Sequence, residues 1–297
     1  MLSSALYLWA LLAQNGECPS ALDHARKAYE SHQYKIAAEE FSRARKLCPQ
    51  PNRILLPLAQ AQLMDQQLEA SALTLEQLIE AEPRNTDALK LRGDVLYLLG
   101  REAEAEQVLR SALEIDPGHQ ASQYALGRIY YQQSRVTEAA GLFRSLIEKD
   151  PKDHRAHDNL ALCYAALHKD SDALRHFLTA LKLVHKDHPE YDVAYADAAH
   201  FFLDRGEHEK AFQLAAEAAE RNPSSARNFF LAGKALVKLD KAGLSVRWLK
   251  QAADLDPTYA APRYFLAQVY RRLGRAEEAV RELETFEKLK KMAPSKR

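Results

Sequence analysis

Apolar residues recur along this chain at the spacing of one helix face, stop, and then recur again. Leu89, Leu96 and Leu99 mark one face of a helix, and Val108, Leu109, Ala112 and Leu113 mark one face of the next. Gly100 stands between them, and glycine suits the left-handed conformation that ends a helix. The same punctuation returns at Gly206 and Gly274, with Gln66, Ser134 and Asp240 at the equivalent place in other segments. The pattern predicts helix, tight turn and helix, repeated along the chain.

Prolines set the length of the repeated unit. Pro49, Pro83, Pro117 and Pro151 follow one another at intervals of 34 residues, and Pro223 and Pro257 keep that interval after Pro189. Proline cannot sit in a helix interior, so each opens the path from one helical pair to the next. A fixed period of this size marks stacked supersecondary units. Aligned on the prolines, eight copies begin at Cys18, Asn52, Thr86, Gln120, His154, Asp192, Ala226 and Ala260. Their eighth position is always small, as in Ala25, Gly93, Gly127 and Gly233, and their twenty-fourth is bulky in most copies, as in Leu109, Phe143 and Leu249. Small facing large lets two helices interlock. Pro189 arrives four residues late, close to one helical turn, which predicts a lengthened second helix in the fifth copy and a different seam before the sixth. Pro57 falls inside the first helix of the second copy and is expected to shorten or kink it.

These units resemble the tetratricopeptide repeat. The stretches LKLRGDVLYLLGREAEAEQVLRSALEIDP and YALGRIYYQQSRVTEAAGLFRSLIEKDP carry that family's small, aromatic, alanine and proline positions in register. The resemblance implies an all-α fold, a right-handed superhelical α-solenoid of antiparallel helix pairs. Eight pairs would occupy residues 18–291, with an apolar segment over 1–17 and a basic tail over 292–297. Ala21 departs from the family, which prefers a large residue there.

The resemblance also implies that first helices line an inner, concave face. The residues it places there are Lys90, Asp94 and Tyr97 in the third copy, and Tyr124, Arg128 and Tyr131 in the fourth. Asp158 and Asn159 follow in the fifth, Asp197 and His200 in the sixth, Arg227, Lys234 and Lys238 in the seventh, and Tyr264, Arg271 and Arg272 in the eighth. Planar anchors mixed with amides suit an extended peptide, and Asn159 is the first candidate to grip its main chain. The basic residues of the last two copies would suit an acidic peptide or a polyanionic saccharide. Family members that clamp C-terminal carboxylates use Lys and Asn where this chain has Leu22, Arg26 and Pro57, so that clamp is not expected.

Composition narrows the reading further. With 47% apolar residues and 41 basic against 41 acidic, the chain reads as folded, and no basic excess points to nucleic acid. There is no HExxH, no GxxxxGK[ST], no GxGxxG after a strand and no GxSxG. Eight of the eleven histidines crowd between His154 and His208, yet no cysteine or carboxylate cluster completes a zinc set, so solvated surface histidines are expected. The resulting expectation is a non-catalytic interaction scaffold with a protein or peptide partner, no cofactor and no metal. A scaffold for polysaccharide or secretion and assembly machinery in an envelope is the alternative, and self-pairing is left open.

The apolar run from Ala5 to Ala13 is too short to span a bilayer and stands where a secretory signal would have its apolar core. Residues 2–4 hold no Lys or Arg, so a helix capping the first copy is the other reading. Cys18 opens the first helix of the first copy and Cys48 closes its second, so the ends of the hairpin bring them together as a disulfide candidate. Such a bond persists only in an oxidising compartment, which points to a periplasmic or secreted protein, with a cytoplasmic one holding two thiols as the alternative. The mature chain is not expected to enter a membrane. Cys163 lies on an apolar helix and reads as a small buried hydrophobe.

Overall fold

The computed structural model describes residues 16–188 and 190–292, which form sixteen α-helices and one short 3-10 turn. The apolar run from Ala5 to Ala13, Pro189 and residues 293–297 of the basic tail lie outside the described residues. Contacts gather the chain into two compact units that divide at Leu146 and Ile147. Repeats touch mainly their sequence neighbours, so an array offers many places for such a division.

In the first unit the pairs are α1 (Glu17–Glu30) with α2 (Tyr34–Leu47), α3 (Leu55–Met64) with α4 (Leu68–Ala81), and α5 (Thr86–Leu98) with α6 (Glu102–Ile115). Then comes α7 (Gln120–Gln132), with α8 (Val136–Lys149) carrying the division. Pro57 shortens α3 rather than kinking it. The chain first makes the 3-10 turn Pro51–Ile54, and α3 starts at Leu55, so Pro57 falls in the first helical turn, where a missing N–H costs nothing. Cys18 and Cys48 are joined in a disulfide, their α-carbons 5.1 Å apart. Ala21, Ala25, Phe41 and Leu58 pack beside that bond, and Leu55, Leu75, Leu78 and Val95 continue the core.

The second unit pairs α9 (His154–Ala166) with α10 (Asp170–Asp187), and α11 (Val193–Asp204) with α12 (His208–Arg221). It continues with α13 (Ala226–Lys238) and α14 (Ala242–Leu255), then α15 (Ala260–Arg272) and α16 (Ala276–Met292). Helix α10 has 18 residues where α12 and α14 have 14, the extra turn that the late proline predicts. It meets α11 more sparsely than α12 meets α13. Phe177, Phe201 and Phe202 fill the core at this seam, with centroids 5.1 Å apart for Phe177 and Phe201. Cys163 is fully buried in α9, and burial pushes its thiol up to about 12, so it stays protonated and unreactive.

Two features hold the hairpins in shape. A Cβ added to Gly93 would lie 2.6 Å from Leu109, one on Gly127 would lie 2.8 Å from Phe143, and one on Gly233 would lie 2.7 Å from Leu249. The eighth position is therefore small because the twenty-fourth fills that space. All eight turns between paired helices pass through positive φ, at His32, Gln66, Gly100, Ser134, His168, Gly206, Asp240 and Gly274. Five of the eight do so without glycine.

Candidate functional site

The first helices carry the predicted interaction residues, and packing sorts them into free and engaged groups. On α5 the Lys90 ammonium donates to the Asp94 carboxylate at 2.5 Å, and the Tyr97 hydroxyl donates to Gln132 on α7. On α7 Tyr124 packs edge-on against Phe143, with ring centroids 5.9 Å apart, and Tyr131 is half-buried. Arg128, on the same face, is exposed. The sequence reading grouped these six as one binding face, whereas Lys90, Asp94, Tyr97 and Tyr124 hold neighbours within the unit and Tyr131 is engaged as well.

A cavity of about 490 Å³ opens on the equivalent face of α1 and α3, and the sequence reading did not include it. Pro19, Leu22, Tyr29, Phe41 and Pro57 make its walls apolar, with Asp23, Arg26 and Gln60 at its polar side. Arg26 donates to Asp23 at 3.3 Å. The residues that argue against a carboxylate clamp thus line a hollow suited to an apolar side chain.

In the second unit the expected groove residues part company. Asp158 was expected at the surface, but it is 1% exposed and lies beneath it, on a helix against which α11 packs. Asp197 is 7% exposed and accepts from the Arg227 guanidinium. Asn159 turns its amide nitrogen back to the Arg155 carbonyl of its own helix at 2.8 Å, so that group is already engaged. The exposed His200 ring lies 3.4 Å from the Asp204 carboxylate. Lys238 and Arg271 are exposed and Lys234 is half-buried, and none of the three has an ion-pair partner among the described residues. Arg272 reaches Asp240 at 3.7 Å. Tyr264 on α15 is 42% exposed, its ring 5.2 Å from that of Phe286.

The histidines also differ from expectation. His157 is buried, with its Nδ1 2.9 Å from Nδ1 of His176 and its Nε2 donating to the Pro151 carbonyl at 3.2 Å. That second bond fixes the tautomer, so His176 must be the donor within the pair. Burial and then the His157 ring hold His176 down to about 4, and burial lowers His157 as well. His154 stacks between His188 and Tyr191, at centroid distances of 4.3 and 4.7 Å. These rings serve packing between turns rather than solvent. Among the described residues no three His, Cys, Asp or Glu side chains converge to hold a metal ion, and no helix is long and apolar enough to cross a membrane.

Helical pairs in series, with exposed first-helix faces, define a repeat fold. Sequence models of the tetratricopeptide repeat match residues 58–120, 96–163 and 245–288, and the chain belongs to the tetratricopeptide repeat family. No curated protein matches it. Among solved structures it is similar to a tetratricopeptide repeat protein from Parabacteroides merdae, with a TM-score of 0.71 and 17% identity over 86% of this chain and 99% of that one. Yeast Tom70 gives a TM-score of 0.60 and 18% identity over 86% of this chain and 56% of that one. MamA from Desulfovibrio magneticus gives 0.51 and 18% over 60% and 99%. At these identities the likeness establishes the fold alone.

Proposed function

We propose that this protein is a non-catalytic scaffold that holds an extended peptide along its first-helix faces, and that α13 and α15 favour an acidic segment. The observation that carries this reading is the set Lys234, Lys238 and Arg271, three cations on α13 and α15 without ion-pair partners among the described residues, with the exposed ring of Tyr264 on α15. Cations left unpaired on a protein surface attract a complementary chain and set its orientation. The aromatic ring adds contact area at low entropic cost.

The test is fluorescence anisotropy with a labelled acidic peptide and its basic counterpart. The double variant Lys238→Glu with Arg271→Glu should weaken the acidic peptide by about tenfold or more, mostly through the association rate. Equal affinity of both peptides for the native chain would remove the reading.

A second reading, an envelope-associated scaffold, is favoured by the Cys18–Cys48 disulfide, since such bonds persist in oxidising compartments. It makes the protein periplasmic or secreted. Alkylation of the protein taken from its native cells, followed by mass analysis, should find both cysteines blocked. Free thiols at Cys18 and Cys48 would return the protein to the cytoplasm.

A further inference from the structure

Three first helices of the second unit meet at a small buried cluster of charges. Asp158 comes from α9, Asp197 from α11 and Arg227 from α13. Arg227 donates to Asp197, and its side chain is 46% exposed. Beside it Asn228 ties the sixth and seventh repeats together, donating to Asp192 at 2.6 Å and to the Ala218 carbonyl at 3.0 Å. Asp158 has no donor on either oxygen, although both oxygens are buried. The carboxyl group that acts on it is that of Asp197.

Charge counting makes this arrangement informative. Two carboxylates against one guanidinium would leave one buried negative charge with no donor, which is among the most costly states a protein interior can hold. A carboxyl that keeps its proton removes that cost and supplies the missing donor. The proton then lies between Asp158 and Asp197, as in other carboxyl pairs that share a site. We infer that Asp158, Asp197 and Arg227 form a proton-held lock across the fifth, sixth and seventh repeats, which ionisation of Asp158 loosens.

The surroundings agree with this reading. Burial, and then the nearby Asp197 charge, raises the Asp158 carboxyl well above its ordinary value of 3.8, while Arg227 opposes the shift. Burial works against the Arg227 charge, but Asp197 outweighs it and holds the guanidinium above its ordinary value. Tyr259 adds its hydroxyl near Arg227. From α10 the nearest titratable ring on the α9 side, His176, is engaged with His157.

Losing the proton transfers it to solvent and leaves two carboxylates facing one another. Below 3.8 both folded and unfolded chains hold the Asp158 proton, and nothing is gained or lost. Above that value the unfolded chain releases it while the folded chain keeps it, so the contribution of the lock falls as pH rises. The fall stops once folded Asp158 ionises.

The test uses the full chain and the variant Asp158→Asn, whose amide can donate to Asp197 at every pH. Carboxyl carbon-13 spectra, with Asp158 assigned by its loss in the variant, should show it titrating well above 3.8. Titration at or below that value overturns the lock. The denaturation midpoint of the native chain should fall relative to Asp158→Asn as pH rises, and a constant difference overturns it. Above the folded titration, amides of α9, α11 and α13 should exchange about tenfold faster in the native chain than in the variant at the same pH, the factor carried by one unit of proton affinity. Equal exchange overturns the loosening. Should Asp158→Asn fail to fold, Asp197→Asn should bring the Asp158 titration down towards its ordinary value, and an unchanged titration overturns the pairing.

Discussion

Single residues in this chain bear the geometry of whole hairpins. Ser134 occupies a left-handed turn at φ 62°, where a Cβ crowds the backbone and glycine does not. Ser134→Gly is expected to stabilise the first unit by about 0.5–1 kcal/mol, read from the urea midpoint. Gly127 shows the opposite constraint. Gly127→Leu would drive its side chain into the Phe143 ring and should cost about 1–3 kcal/mol, visible as a lowered melting temperature. The His157 and His176 pair makes a prediction in pH. Both rings are held below 6.5 in the folded chain, so the unfolded chain takes up protons first, and their contribution is complete above that value and lost as pH falls towards about 4. His176→Asn should flatten the acid limb of the stability profile, measured as denaturant midpoints between about pH 7 and pH 4. The pairing itself was illegible in sequence, because the two residues stand on different helices and only packing brings their rings together.

Elements record where the period holds and where it breaks. The start of α5 at Thr86 was legible because Asn85 precedes it and accepts from the Ala88 amide, and Asp153 does the same for α9 with Arg155 and Ala156. The start of α3 was less legible. Pro57 announces a disturbance, yet its cure by a 3-10 turn depends on Ile54 finding a place in the core. The first hairpin carries a covalent link as well. Cys18 and Cys48 close a loop with a sequence separation of 30, so removing the bond by Cys18→Ser with Cys48→Ser should cost about 3–4 kcal/mol through the freed unfolded chain. Hydrogen exchange should then show α1 and α2 opening before α5 and α6, and equal protection of both hairpins would contradict the estimate.

At the scale of the molecule, the two units offer different first-helix faces. That of the first unit has an apolar hollow, and that of the second has unpaired cations. The pair Lys238→Glu with Arg271→Glu should leave the denaturation midpoint within about 0.5 kcal/mol of the native value, because both residues are exposed and without ion-pair partners. Added salt should weaken binding of an acidic peptide to the native chain more than to that variant, since exposed charges are screened. The sequence by itself determined the helical pairs, their number, the interlock of small with large residues and the longer α10. Those properties follow from period and from residue size, which every copy states locally. The tertiary structure alone decided which first-helix residues remain available. Lys90, Tyr124, Asp158 and Tyr264 occupy the same position in the third, fourth, fifth and eighth copies, yet the first is ion-paired, the second packed, the third buried and the fourth exposed. Asp94 and Phe143 belong to the same repeats as Lys90 and Tyr124, but the burial of Asp158 is set by side chains of the following repeats, which its own repeat's sequence does not contain.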